Sequence, residues 1–219
     1  MRERARSAED KATRSEELLA AAEAVALELG GVRFVTVAAV TERANLHRTG
    51  VRRYYASKEE LLLELAERGW GQWRDAVTKA AAGRSGLGPV EVAQVLAETV
   101  TSLSVFCDLL THVVMSLEND VGLDRARRYK SRATAAHDEL VGALDRASSM
   151  TLAQIQTLVA TTVTVTAGLW QAAHPAPTLA ALYEQEPQWA HAALDFEPRV
   201  SLILQATAVG LGEILPEHG

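Results

Sequence analysis

The sequence predicts an all-α protein with a small basic head of three helices and a larger acidic body of about six. Three observations lead there. Apolar residues recur at three- and four-residue spacing in nearly every segment from Ser15 onward. Gly and Pro gather at a few breaks, chiefly Gly30-Gly31 and GRSGLGP at 83–89. Charge is unevenly divided: residues 1–58 hold 11 basic and 8 acidic side chains, a net of +3, while 59–219 hold 11 basic and 20 acidic, a net of −9. The expected domain boundary falls there, giving an N-terminal domain at 1–58 and a C-terminal one at 59–219.

Composition narrows the class. With 219 residues, 48% of them hydrophobic, the chain can bury a sizeable core. No run of 18 apolar residues is present, and the charged start MRERARSAEDK has no apolar stretch behind it, so a cytoplasmic protein with no membrane span or signal peptide is expected. The single Cys107, in SVFCDLL, reads as a small core residue.

The elements follow in order. Residues 2–14 form a leader with Arg2, Arg4, Arg6, Lys11 and Arg14, read either as a disordered terminus or as an arm reaching nucleic acid. Thr13 or Ser15 caps the first helix, whose apolar stripe is Leu18, Leu19, Ala22, Val25, Ala26 and Leu29, and which ends at Gly30-Gly31. Residues 33–58 are cationic, with six basic side chains against Glu42. Thr36 caps a second helix bearing Val37, Val40 and Ala44 on one face, Asn45 tolerates the left-handed backbone of a sharp turn, and Leu46 fills the gap to the next helix. That helix, about His47 to Tyr55, carries Arg48, Arg52 and Arg53 and is too short and cationic to be core. Ser57 and Glu60 form a capping box for the fourth helix. Helix, short turn, basic helix is how a helix-turn-helix presents a recognition helix to the DNA major groove, and a cationic island in an acidic chain suits a polyanion.

The segments SEELLAAAEAVALELG, TVAAVTERA, NLHRTGVRRYY and ASKEELLLEL together resemble the helix-turn-helix DNA-binding domain of the TetR family of transcriptional regulators over residues 15–65. The tandem tyrosines followed by Ser-Lys-Glu-x-Leu are the most specific part. Asn45, His47, Gly50 and Arg52 depart from the usual pattern, so the resemblance carries no operator sequence with it. It implies DNA contacts from Thr36, His47, Arg48, Thr49, Arg52, Arg53, Tyr54 and Lys58, with Tyr55 mainly in the core. It also implies a C-terminal helical ligand-binding and dimerisation domain that takes a small molecule and pairs as a homodimer through its last two long helices.

The body reads as a series of helices. EELLLELAERGWGQWRDAVTKAAA is one long helix with Leu61, Leu62, Leu65, Trp73 and Val77 inward, and Gly69 and Gly71 weaken its middle. Pro89 opens the next, with Val92, Val95, Leu96, Thr99, Val100 and Leu103 on one face. FCDLLTHVVMSLE is apolar around most of its circumference and reads as buried. The following helix is expected to turn Leu123, Tyr129, Ala133, His137, Leu140 and Leu144 inward and Arg125, Arg128 and Arg132 outward. In 151–173 the TTVTVT core alternates like a strand, but Leu152, Ile155, Leu158, Val159, Thr162, Val163, Thr166, Leu169 and Trp170 hold a helical stripe through it, so a helix is expected. A loop is expected over 174–197, then a last apolar helix from Pro198.

Three functions compete. An enzyme is disfavoured because the six histidines show no H-E-x-x-H or zinc spacing, and no phosphate loop or nucleophile elbow is present; no cofactor or metal is expected. An architectural DNA binder has no use for an acidic body of two thirds of the chain. A ligand-responsive regulator, most simply a repressor, uses both parts: a double-stranded DNA operator, a small apolar or aromatic effector and a homodimer are the expected partners. Candidate effector contacts are Trp73, Phe106, Leu110, His112, Met115, Tyr129, His137 and Trp170, large groups with a few polar ones among them. Candidate dimer contacts are Ile155, Val159, Val163, Ala167, Leu202, Ala206, Val209 and Gly210, on the most apolar helices.

Overall fold

The computed structural model describes residues 2–46, 51–192 and 195–214, with side chains from residue 11 onward except at 191 and 192. Among them the regular elements are helices α1 (Arg2–Leu29), α2 (Val37–Arg43), α3 (Lys58–Ala81), α4 (Pro89–Thr101), α5 (Ser104–His112), α6 (Leu123–Ala147), α7 (Leu152–Ala173), α8 (Pro177–Gln185) and α9 (Phe196–Ile214). Two 3-10 turns (Val32–Phe34 and Pro187–Ala192) and a π-helical turn (Val113–Leu117) complete them. The fold is all-α, as expected. Two compact units are present, one of residues 1–68 and 112–131, the other of 69–111 and 132–219.

In the first unit, α1 begins at Arg2 rather than at the Thr13–Ser15 cap, because the leader lacks Gly and Pro and is rich in strong helix formers. It ends as the glycines require: Gly30 takes φ 73°, its N–H donates to Leu27 O and that of Gly31 to Ala26 O. Leu18, Leu19, Ala22, Val25 and Ala26 are buried, while Leu29, past the last inward turn, is exposed. The Thr36 hydroxyl accepts the Ala39 N–H at 3.1 Å to start α2. The helix closes through Asn45 at φ 50°, with Asn45 N–H on Glu42 O and Leu46 N–H on Thr41 O, so Asn performs the left-handed turn expected of it. At the head of α3, Ser57 Oγ accepts the Glu60 N–H, but the Glu60 carboxylate reaches back one residue further than a capping box, to Ala56 N–H at 2.7 Å.

The π-helical turn after α5 leaves Val114 and Met115 exposed, against the buried segment expected there. The start of α6 is also rotated from the expected stripe. Leu123 is 74% exposed and Arg125 is turned inward, because the buried row on this helix is Tyr129, Ala133, Ala136, Leu140 and Leu144. Arg125 lies one turn before Tyr129 on that row, whereas Leu123 is two residues off it.

In the second unit α4 packs against α7 and α9, which also pack on each other. Gly88 precedes Pro89, and the Glu91 carboxylate accepts the Gly88 N–H at 2.9 Å. Leu87 is tied to the end of α6 by an isolated bridge, donating to Ala147 O and accepting from Ser149 N–H, both at 3.0 Å. Helix wins over strand in α7 because a Thr hydroxyl can serve its own helix: Thr157, Thr161, Thr162 and Thr164 each donate to the carbonyl four residues back. A capping box the sequence reading passed over, Thr151 with Gln154, starts it. The expected loop at 174–197 contains α8, opened by Pro177 in its first turn, and α9 begins at Phe196, with Pro198 inside its first turn.

Gly69 does not merely weaken α3. A Cβ there would stand 2.3 to 2.9 Å from the Phe106 side chain, so the missing side chain is what lets that ring approach. Gly69→Ala, normally worth about 1 kcal/mol to a helix interior, is expected instead to lower unfolding free energy by about 1–2 kcal/mol through overpacking. Denaturant melts of Gly69→Ala with and without Phe106→Leu check this: the cost should shrink in the smaller-ring background.

Candidate nucleic-acid interface

The cationic stretch begins where α1 turns into α2. Arg33 lies over the Phe34 ring, 4.5 Å from its centroid, and Arg43 is ion-paired with Glu28 of α1. Thr36 is exposed at the start of α2. His47, Arg48 and Thr49 lie outside the described residues. The structure picks up at Val51, which is buried and whose carbonyl accepts the N–H groups of Tyr54 and Tyr55 at 2.9 and 3.0 Å. Between them Arg52 and Arg53 are exposed and Tyr54 is half-buried. Lys58 donates to the Arg33 carbonyl at 2.9 Å, which uses one of its three N–H donors.

Tyr55 anchors this turn from below. It is buried, and its hydroxyl lies 2.7 Å from Ser15 Oγ of α1. Ser15 Oγ also lies 3.4 Å from Glu64 Oε1 of α3, so phenol, hydroxyl and carboxylate meet at one point. Burial pushes the Tyr55 phenol well above its ordinary value. Glu64 and Glu67 of α3 face Arg125 and Arg128 of α6. This polar network escaped the sequence reading; its only trace was two pairs spaced one turn apart, Glu64 with Glu67 and Arg125 with Arg128.

The eight candidate effector residues divide between the two units. In the second, Trp73 is fully buried, donates its indole N–H to Thr99 Oγ1 at 3.1 Å, and packs with Phe106 and Trp70, ring centroids 5.5 to 6.2 Å apart. Leu110 is buried. Trp170, half-buried, stacks on His174 at 3.8 Å and meets the edge of Phe196 at 5.1 Å. His137 is half-buried beside Asp138. In the first unit Tyr129 is buried, His112 half-buried and Met115 75% exposed. Trp70 and the buried Asp108, which accepts from Gln171 Nε2 at 2.8 Å, were not singled out from sequence.

Of the candidate dimer residues, Ile155 and Val159 are fully buried within the chain itself. Val163, Ala167 and Gly210 are half-buried; Leu202, Ala206 and Val209 are exposed.

Tyr55 gives a pH dependence with a definite sign. A phenol whose folded pKa is raised favours the neutral form, so its contribution is complete below the unfolded value of about 10 and is lost as pH climbs beyond it. Wild type is therefore expected to lose stability more steeply above pH about 10 than Tyr55→Phe does. Denaturant midpoints measured across that range decide it, with Cys107→Ala in both backgrounds because burial also pushes that thiol up, to about 12.

Comparison with known proteins extends the same picture. A family model described as "Tetracyclin repressor-like, C-terminal domain" matches residues 67–213. A solved structure described as a possible TetR family transcriptional regulator from Streptomyces coelicolor A3(2) superposes with a TM-score of 0.52, covering 90% of this chain and 99% of that one at 21% identity, which is a likeness of fold. No curated protein matches. With a matching family model over most of its length and an all-α fold headed by a capped helix, a left-handed turn and a basic segment, the chain belongs to the TetR family of transcriptional regulators.

Proposed function

We propose that this regulator is a cytoplasmic repressor that binds a palindromic DNA operator as a homodimer and is released by a small apolar or aromatic effector. Residues 1–58 are the DNA-binding domain in this reading and 59–219 the ligand-binding and dimerisation domain. One observation carries it: Arg52 and Arg53 are held exposed on a turn whose flanking side chains, Val51 and Tyr55, are buried. The same segment has a net charge of +5 over residues 33–58 in a chain of net −6. Rigid backing with exposed guanidinium groups suits bidentate hydrogen bonding to guanine. His47, Arg48 and Thr49 are assigned to the same base-reading role, and Thr36, Tyr54 and Lys58 serve the phosphate backbone.

Dimerisation is supported by an uncharged surface. α7 has no charged residue in its 22 positions, and α9 has none from Val200 to Gly212. Leu202, Ala206 and Val209 stand exposed there. By length and composition α7 is apolar enough to cross a membrane; a second copy covers this face instead. Val163, Ala167 and Gly210 fit its edge, while Ile155 and Val159 support it from within the chain. The effector belongs among Trp73, Phe106, Leu110, His137 and Trp170, with His112, Met115 and Tyr129 assigned to the same response. These groups include no Arg or Lys, which favours a ligand without strong negative charge.

Three measurements test the reading. In operator binding, Arg52→Ala or Arg53→Ala is expected to cost about 1–3 kcal/mol and relax preference at one base position, whereas Lys58→Ala should weaken all duplexes alike and reduce the salt slope by about 1. Leu202→Glu with Val209→Glu should give a monomeric mass by sedimentation; a dimer unaffected by both charges would place the interface elsewhere. For any compound shown to bind the protein, operator affinity at saturation should fall, and an unchanged affinity removes that compound as an effector by linkage.

A further inference from the structure

Within the first unit, α6 brings two arginines onto two glutamates of α3. Arg125 Nη1 is hydrogen-bonded to Glu67 Oε1, and its Nη2 lies 3.9 Å from Glu64 Oε2. Arg128 Nη2 is 2.9 Å from Glu64 Oε2 and 3.6 Å from Glu67 Oε2. Both carboxylates therefore lean on α6. Glu64 has a second obligation, because its Oε1 accepts from Ser15, whose oxygen meets the Tyr55 hydroxyl. Tyr55 closes the turn that holds out Arg52 and Arg53. A continuous polar path thus runs from the first turns of α6, through α3 and α1, to the seat of the exposed arginines.

The path is directional in its chemistry. The arginines hold Glu64 by Oε2, which leaves Oε1 facing Ser15. Without them two carboxylates one turn apart on α3 repel each other, and Glu64 gains by turning toward water. Ser15 then loses its acceptor, and the buried Tyr55 hydroxyl loses the fixed partner that its burial requires. We propose that Arg125 and Arg128 are positioning residues for DNA binding: they touch no DNA, and they set operator affinity by holding Glu64 so that the Ser15–Tyr55 pair seats the segment carrying Arg52 and Arg53. A shift of the first turns of α6 relative to α3 is then sufficient to weaken operator binding. This rests on the operator-binding reading above.

Arg128 is the better site to probe, since it is 43% exposed and its loss leaves Glu67 still paired with Arg125. The full-length variants are Arg128→Gln, Ser15→Ala, Tyr55→Phe and the double variant Arg128→Gln/Tyr55→Phe. Arg68→Gln is the charge-matched control, because Arg68 faces Glu16 and Glu23 instead. Each is measured by operator affinity over a salt series and by amide hydrogen exchange at Tyr54 and Tyr55. Arg128→Gln is expected to weaken operator binding about tenfold with an unchanged salt slope, and to add little once Tyr55→Phe has cut the path. Exchange at the two tyrosine amides should quicken in Arg128→Gln and Ser15→Ala and stay at the wild-type rate in Arg68→Gln. The proposal is overturned by wild-type exchange rates in Arg128→Gln, by an equal loss of affinity in both Tyr55 backgrounds, or by a salt slope reduced by about 1, which marks a direct phosphate contact. Absence of sequence-preferring DNA binding by wild type would sink the operator reading alone, and the exchange rates would still decide the positioning role.

Discussion

Glu67 cannot be buried alone, and much of the first unit follows from that. Only 4% of its side chain is exposed, and an ion withdrawn from water to that degree costs several kcal/mol unless a partner with matched geometry restores the interaction. Arg125, itself 10% exposed, is that partner. Satisfying it fixes the rotation of the first turns of α6, which is why Leu123 faces outward and Tyr129 inward. Removing one member of such a pair costs about 3–5 kcal/mol, because the survivor stays buried and charged. Exposed pairs such as Arg84 with Glu91 are worth about 0–1 kcal/mol each and dictate no geometry.

The second unit is organised by volume rather than charge. Trp70, Trp73 and Phe106 form one aromatic block, and it closes only because Gly69 presents no side chain to Phe106. Several of the polar atoms left inside are given a partner on a neighbouring helix. Trp73 donates to Thr99, Thr111 donates to the Ala167 carbonyl at 2.7 Å, and Asp108 accepts from Gln171. These bonds tie α3 to α4 and α5 to α7, so an apolar core acquires fixed register at a few points.

What could be read from the sequence was whatever depends on local backbone chemistry. Gly30, Thr36, Asn45, Ser57 and Pro89 act within a few residues of themselves, and the helix boundaries they announce are present. The strand-like TTVTVT resolved as helix for a local reason too, since the hydroxyls of Thr161, Thr162 and Thr164 find their acceptors one turn back. Pairings between distant segments were not legible. Arg125 looks like any solvated helix arginine until Glu67, 58 residues away, is placed against it. Gly69 looks like a weak point until the Phe106 ring arrives. Likewise Ile155 and Val159 carry the apolar character of an interface residue, and only their neighbours show that the chain already covers them.

Charge and geometry then divide the labour of recognition. The net −6 of the chain does not forbid binding a polyanion, because at physiological salt screening sets in over about 8 Å, and a surface charge further away than that contributes little. In the proposed reading the local +5 of residues 33–58 is what DNA meets at close range. Attraction of this kind brings the protein to any duplex and distinguishes none of them. The discrimination proposed for Arg52 and Arg53 requires guanidinium groups aimed at the base edges, and two long, exposed side chains do not fix their own position. What anchors them is the buried side of the same turn, Val51 and Tyr55 with its hydroxyl 2.7 Å from Ser15 Oγ. In that reading surface charge supplies affinity, and a buried phenol helps to supply specificity.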